Sequence, residues 1–198
     1  MVLPNQLTVL RIILTPVFLI LFLSGDPLLI QISLVVYIVA AITDWYDGWL
    51  ARKYNYITDW GKFLDPLADK ILTSTAFFAF VYLDILELWM VLIIVIRDFL
   101  VTGLRGYADY QGVTFTTLKS AKWKTFLQML FIYYLLVIYT LQNTPYFYEG
   151  NTELFNLLFD SNLIYFSMLT VTIITLFTGL EYIYKNWKTI KGLFNIEN

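Results

Sequence analysis

The chain has 198 residues, of which 59% are hydrophobic and only 14% are charged, and its formal net charge is -2. Soluble globular domains average about 25% charged residues, so this composition excludes an ordinary soluble domain and predicts a membrane protein. Cysteine and histidine are both absent, which excludes disulfides, thiolates and imidazole and leaves carboxylates, amines, guanidinium groups, hydroxyls and amides for any chemistry.

Six apolar segments are each long enough to cross a hydrocarbon core, which takes about 20 residues of helix. They lie at residues 6–24, 29–51, 61–83, 88–108, 121–142 and 161–184. No linker, low-complexity tract or internal repeat interrupts the chain, so we expect one domain over residues 1–198. The predicted fold class is an all-α integral membrane protein with six transmembrane helices.

The distribution of Lys and Arg predicts the orientation of these spans. With the N-terminus in the cytoplasm, the three opposite loops carry acidic residues but no Lys or Arg. The basic residues at the cytoplasmic side are then Arg52, Lys53, Lys62, Arg105, Lys119, Lys122, Lys124, Lys185, Lys188 and Lys191. By the positive-inside rule we expect both termini to be cytoplasmic.

The second and third spans carry four aspartates around the turn that joins them. Helical periodicity places these aspartates and their small neighbours on two stripes. The stripes are Asp44, Asp47, Gly48 and Ala51 on one helix, and Gly61, Asp65 and Asp69 on the next. If the two helices form an antiparallel hairpin, the four carboxylates converge at its cytoplasmic end.

Four close carboxylates need cations to remain ionised. Ligation by oxygen alone suits a hard divalent ion such as Mg²⁺ or Mn²⁺, and a diphosphate substrate would need a pair of such ions. One alternative is that the aspartates pair with Arg52, Lys62 and Lys70 at a solvated helix end. The glycines have an alternative role too, because small residues permit close helix packing in membranes.

Eight residues over 26 positions of this stretch carry a resemblance to a known family. The pattern Asp44-x₂-Asp47-Gly48-x₂-Ala51-Arg52-x₈-Gly61-x₃-Asp65-x₃-Asp69 resembles the signature of the CDP-alcohol phosphatidyltransferase family at every fixed position. The resemblance implies a six-helix membrane domain that transfers a phosphatidyl group from a CDP-linked lipid to an alcohol and releases CMP.

The resemblance also implies roles for these residues. It makes Asp44, Asp47 and Asp65 metal ligands, with Asp69 as the general base that also borders the metal site. Residues that would shape the cytidine diphosphate pocket are Gly48, Ala51, Arg52 and Gly61. The residues by themselves do not separate Asp69 from Asp65.

Basic residues gather around the cytoplasmic half of the fourth and fifth spans: Arg97, Arg105, Lys122 and Lys124. An acceptor that carries a phosphate would need such cations, whereas a neutral acceptor such as serine would not. The alternative is that these residues are the ordinary excess of basic residues on the cytoplasmic side. This alternative explains Arg97 least well, because Arg97 lies well inside the span.

Further stretches resemble the bacterial branch of the family that uses glycerol 3-phosphate. They are PNQLTVLR at 4–11, GKFLDPLADK at 61–70, KWKT at 122–125 and GLEYIYK at 179–185. This chain departs from the branch at Asp98, where Glu is usual, and at Ala121, where Gly is usual.

The resemblance implies that CDP-diacylglycerol and sn-glycerol 3-phosphate give phosphatidylglycerol phosphate and CMP. It also implies a homodimer in the bacterial cytoplasmic membrane, with the active site facing the cytoplasm and no nucleic-acid partner. One alternative is a sister enzyme that uses inositol phosphate, serine or phosphatidylglycerol. A divalent-cation transporter is a different class, but no polar stripe continues from the aspartates to the far side of the bundle. A non-catalytic scaffold would leave the eight-residue signature unexplained.

Overall fold

A computed structural model describes residues 3–54, 59–116 and 118–193. Within these ranges, the side chains of residues 3–5, 45, 47–52, 54 and 59–63 lie outside the description. The described chain is all-α, as predicted. Its helices are α1 Leu3–Phe22, α2 Pro27–Tyr54, α3 Asp59–Tyr82, α4 Leu88–Tyr110, α5 Lys119–Gln142, α6 Pro145–Tyr148, α7 Thr152–Leu158, α8 Ser161–Lys185 and α9 Trp187–Leu193.

Each predicted segment coincides with one of the six long helices, with ends that differ by a few residues. Three stretches in the described ranges are long and apolar enough to cross a membrane: Pro27–Asp44, Lys119–Gln142 and Thr152–Lys185. The apolar part of α1, Gln6–Phe22, is shorter. Helices α3 and α4 interrupt their apolar sequence with charged residues, which belong to the site described below.

Three short helices were not predicted: α6 and α7 lie in a stretch whose Pro and Gly residues predict turns, and α9 follows the sixth segment. Helix α6 begins at Pro145, whose missing N–H costs nothing in the first turn of a helix. Asp160 separates α7 from α8 because its side chain accepts hydrogen bonds from the backbone N–H groups of Asn162 and Leu163. Helix α9 follows α8 after Asn186.

The main core lies toward the end of the bundle away from the aspartates. Aromatic rings from α1, α3 and α5 meet there: Phe22 stacks 5.4 Å from Phe18, and lies 5.3 Å from Phe80 and 5.1 Å from Tyr139, between ring centroids. Such pairs each contribute about 0.5–1.5 kcal/mol beyond their buried area. This packing fixes the helices at one end and leaves the other end to polar side chains.

Large apolar side chains cover much of the outer surface. Ile20, Leu28, Phe166, Phe177 and Leu180 are each more than 60% exposed. Soluble proteins rarely expose contiguous apolar patches of this kind, and the bilayer is the solvent that favours them. The described surface therefore agrees with the composition in indicating a membrane protein.

A second, smaller hydrophobic cluster packs the connection between α4 and α5 against the end of α8. Its buried members are Ala108, Phe115, Leu118, Tyr182 and Ile190. Beside it, the N–H and Oγ1 of Thr116 both donate to Asn186 Oδ1, at 3.1 and 3.0 Å. The connection that precedes the basic start of α5 is therefore held against α8.

Candidate active site

Helix α1 lies between the two helices that carry the aspartates. It packs against both α2 and α3, whereas α2 and α3 contact each other little. The sequence predicts a hairpin of these two helices, and its connection, residues 55–58, lies outside the described residues. Among the described residues, α1 contacts both helices beside the predicted aspartates, and it therefore supplies side chains to the site.

Arg11 of α1 is the partner of Asp44 on α2. Its Nη1 lies 2.6 Å from Asp44 Oδ1, and its Nε donates to the backbone oxygen of Ala40 at 3.3 Å. The Arg11 side chain is 0% exposed, whereas that of Asp44 is 44% exposed. A buried cation thus orients a carboxylate that still faces outward. Sequence reasoning left Arg11 out of the site, although an arginine inside an apolar span was a signal for it.

The two aspartates of α3 that were predicted as site residues have separate partners. Asp65 accepts a hydrogen bond from the buried Thr8 Oγ1 of α1, and Asp69 Oδ2 lies 2.9 Å from Lys70 Nζ. Asp44 lies within electrostatic range of both Asp65 and Asp69. Three of the four predicted carboxylates therefore share one end of the bundle. Thr8, like Arg11, was missed because its role depends on how α1 packs.

The remaining residues of the acidic motif lie where side chains are not described. They are Asp47, Gly48, Ala51, Arg52 and Gly61, and their assignment to the metal site or the nucleotide pocket stays a prediction. Among side chains that the structure describes, no three carboxylates stand close enough together to hold one metal ion. The donor set nevertheless fits a hard divalent cation, because it consists of carboxylate oxygens alone.

A cavity of about 550 Å³ opens beside Asp69, between α3, α4 and α5. The charged side chains that line it are Asp69, Lys70, Arg97, Asp98, Arg105 and Lys122. Four cations against two carboxylates leave an excess of two positive charges. A phosphate monoester carries about 1.5 to 2 negative charges near neutral pH, so the cavity has the charge to receive one.

The cations of the cavity are held by different partners. Arg97 Nη1 lies 3.2 Å from Asp98 Oδ1, and its Nη2 donates to Thr178 Oγ1 of α8 at 3.2 Å. The guanidinium carbon of Arg105 lies 5.9 Å from the centroid of the Tyr182 ring, a distance at which cation–π attraction operates. Helix α8 therefore supports two cavity arginines, which the sequence did not indicate.

Lys124 occupies a different position from the one expected. It is 1% exposed and does not line the cavity. Its Nζ donates to Asp98 and to Gln128. Burial of an ammonium group requires such partners, so Lys124 holds Asp98 in place behind the cavity. The shorter Asp98, in place of Glu, still reaches Arg97.

This arrangement of acidic helices beside a basic cavity agrees with the comparison to known proteins. The family model described as CDP-alcohol phosphatidyltransferase matches residues 1–173, so the chain belongs to the CDP-alcohol phosphatidyltransferase family. It is therefore a transferase of phospholipid biosynthesis in a membrane.

Curated relatives show which members of the family the chain is similar to. The chain is 36% identical over 201 residues to the CDP-diacylglycerol–glycerol-3-phosphate 3-phosphatidyltransferase of Bacillus subtilis strain 168, covering 96% of this chain and 97% of the relative. The Rickettsia typhi protein of the same name is 40% identical over 127 residues, which is 64% of this chain and 71% of that protein. The Mycoplasma pneumoniae protein of that name is 35% identical over 149 residues, or 66% and 65% of the two chains.

Proposed function

We propose that this enzyme transfers the phosphatidyl group of CDP-diacylglycerol to sn-glycerol 3-phosphate, giving phosphatidylglycerol phosphate and CMP. The observation that carries the proposal is the cavity in which Asp69 faces Arg97, Arg105 and Lys122. The names of the Bacillus, Rickettsia and Mycoplasma relatives support the same pair of substrates.

Asp69 serves as the general base in this proposal. The acceptor phosphate rests on the basic side of the cavity, which directs the acceptor hydroxyl toward Asp69. The carboxylate takes the hydroxyl proton as the oxygen attacks the phosphorus joined to diacylglycerol. A new P–O bond forms to the acceptor, the P–O bond within the diphosphate breaks, and CMP leaves with the electron pair. Lys70, at 2.9 Å from Asp69, fixes the position of the base.

We assign Asp44, Asp47 and Asp65 to hold Mg²⁺ or Mn²⁺, as a pair of ions bordered by Asp69. Bound there, the ions would supply the neutralisation of charge that a diphosphate needs. Arg11 and Thr8 orient two of these carboxylates from α1. Gly48, Ala51, Arg52 and Gly61 form the nucleotide pocket in this proposal, since they continue the same two helices.

We further propose a single domain over residues 1–198 that crosses the bacterial cytoplasmic membrane six times. Both termini and the active site face the cytoplasm, and two copies of the chain form a homodimer. The absence of Lys and Arg from three of the loops supports this orientation. Membership of an enzyme family argues against the transporter and the scaffold.

A sister enzyme that uses inositol phosphate is the second candidate, because the excess positive charge of the cavity suits any phosphorylated alcohol. A panel of labelled acceptors separates the two. Purified protein receives Mg²⁺, CDP-diacylglycerol and either glycerol 3-phosphate, inositol phosphate, serine or phosphatidylglycerol. We expect CMP release and a labelled lipid product with glycerol 3-phosphate alone. Turnover with inositol phosphate, serine or phosphatidylglycerol, and none with glycerol 3-phosphate, would refute the proposed acceptor.

A further inference from the structure

Helix α8 passes the side chain of Arg97 at Gly179, the first residue of the GLEYIYK stretch. A Cβ atom added at Gly179 would lie 3.0 Å from Arg97 Cγ and 3.5 Å from Nε. Non-bonded carbon atoms pack at about 3.5–4.0 Å, so an alanine at this position would displace the stem of Arg97. The absence of a side chain at Gly179 is what lets Arg97 lie against α8.

The guanidinium of Arg97 is held by one acceptor from each of two helices. Nη1 lies 3.2 Å from Asp98 Oδ1 on α4, and Nη2 donates to Thr178 Oγ1 on α8 at 3.2 Å. Thr178 is itself fixed, because its hydroxyl donates to the backbone oxygen of Thr175 at 3.1 Å. Nε is buried and has no hydrogen-bond partner within the described parts of the chain. The contacts at Thr178 and Gly179 therefore determine which way the guanidinium points.

Asp98, the partner of Arg97 on α4, is itself buried and held by a second cation. The same Oδ1 atom accepts from Lys124, which is 1% exposed and also donates to Gln128. Separating these groups would leave a buried charge unpaired, which is strongly unfavourable. Asp98 holds the guanidinium of Arg97, and α8 at Gly179 restricts the position of its aliphatic part. The Arg97 side chain is 12% exposed and therefore has few alternative positions at the cavity wall.

We propose that Thr178 and Gly179 are positioning residues that set the affinity of the enzyme for its phosphorylated acceptor. Neither residue lines the cavity, so both act through Arg97. This inference rests on the proposed function, in which Arg97 contacts the acceptor phosphate. A guanidinium binds phosphate through a fixed, planar set of donors, so an Arg97 that swings away from α8 binds the phosphate less tightly.

Gly179→Ala tests the close approach directly. We expect the KM for glycerol 3-phosphate to rise about tenfold, the effect of losing one well-placed contact, while kcat and the KM for CDP-diacylglycerol stay at wild-type values. Gly103→Ala is the matched control. It lies in helix α4, where an added Cβ meets nothing within 4 Å, and its kinetics should be unchanged.

Thr178→Val is a second variant that keeps the volume of the side chain and removes the acceptor for Nη2. It should raise the same KM several-fold, and it replaces Gly179→Ala as the test if that variant does not fold. Thr172→Val is its control, because Thr172 is also buried on α8 and donates to a backbone oxygen of its own helix, but is not an acceptor for Arg97.

An Arg97→Ala background separates positioning from general damage. With Cγ and the guanidinium removed, Gly179→Ala and Thr178→Val should cause no further rise in KM. An equal rise in both backgrounds would overturn the inference. If Arg97→Ala raises the KM but neither α8 variant does, the inference fails and the proposed function stands. If Arg97→Ala itself leaves the KM unchanged, the acceptor role of Arg97 fails, and the inference fails with it.

Discussion

Three aspartates at this end of the bundle each have a partner, two of them from helix α1 and one from the next residue of α3. Arg11 contacts Asp44, Thr8 contacts Asp65, and Lys70 contacts Asp69. Each carboxylate therefore has a fixed direction before substrate arrives. Groups that are oriented in advance lose less entropy in the transition state, so substitutions here should affect catalysis more than folding.

Asp69→Asn is expected to abolish turnover, because the amide keeps the size of the side chain but cannot accept the proton. A general base contributes about 10²- to 10⁴-fold, so the rate of CMP release should fall by at least the lower figure while CDP-diacylglycerol still binds. Asp84→Asn, at the other end of α3, is a suitable control, because its positive φ of 56° is one that Asn tolerates. Near-normal turnover in Asp69→Asn would remove Asp69 from the role of base.

Arg105→Ala and Lys122→Ala should each raise the KM for glycerol 3-phosphate and leave nucleotide binding intact. A charge-assisted contact to phosphate is worth about 1.5–3 kcal/mol, or roughly 10- to 150-fold in affinity. Steady-state kinetics with each substrate varied in turn measures this. Lys119→Ala is the control, since Lys119 lies at the start of α5 but does not line the cavity. Wild-type KM values in both cavity variants would contradict the assigned phosphate site.

At the scale of elements, helix ends are tied to one another by side chains rather than by backbone pairing. Asn186 follows the last residue of α8, and its Nδ2 donates to the backbone oxygen of Tyr182 at 2.9 Å while its Oδ1 accepts from Thr116. One amide therefore joins the end of α8 to the connection between α4 and α5. That connection precedes Lys122 and so helps to set one wall of the cavity.

Asn186→Ala should lower the free energy of unfolding by about 1–3 kcal/mol, because the N–H of Thr116 loses its acceptor. Thermal unfolding in detergent measures the change. Asn143→Ala is a matched control: Asn143 follows α5 and donates to the backbone oxygen of Tyr139 at 2.8 Å, but within the described residues its side chain has no hydrogen bond to a segment outside the end of its own helix. Equal destabilisation by the two variants would show that Asn186 acts only as a cap of its own helix.

The whole molecule combines an apolar exterior with an oxygen-rich acidic end, and two predictions belong to this scale. The first concerns metal. Chelation should abolish CMP release, and Mg²⁺ or Mn²⁺ should restore it, because carboxylates without histidine or cysteine suit these ions. Chelator loaded beforehand with Mg²⁺ controls for direct effects of the chelator. Full activity after exhaustive chelation would contradict the metal site.

The second prediction concerns orientation. Cysteines introduced at Ser24, Glu87 and Gly150 should react with an impermeant thiol reagent outside intact cells, whereas one at Gln111 should react only after the cells are opened. Ser24 is preferable to Gly25, whose φ of +74° disfavours a side chain. The native chain has no cysteine, so no background labelling arises. Labelling of position 111 from outside would invert the proposed topology.

Composition and periodicity determined the class of the fold. Long apolar segments must satisfy their backbone groups internally in lipid, and this requirement gives helices whatever their neighbours are. The acidic motif resembles the family signature, and this resemblance implied the reaction class; a signature of this kind can be found in the sequence because its residue types and spacing are local properties of α2 and α3. The sequence also placed Arg97, Arg105 and Lys122 around the cytoplasmic half of the fourth and fifth spans, and all three line the cavity.

Only the tertiary structure decided which helices are neighbours. Helix α1 packs against both α2 and α3, and for this reason Arg11 contacts Asp44 and Thr8 contacts Asp65. The packing of the helices also brings Lys124 into contact with Asp98 and places Gly179 against the side chain of Arg97. Sequence spacing specifies which residues share one helix face, but partners from distant parts of the chain depend on how the helices pack. Lys124 and Lys122 are two residues apart on α5, so they point to different faces, and packing alone determined which of them reached the cavity.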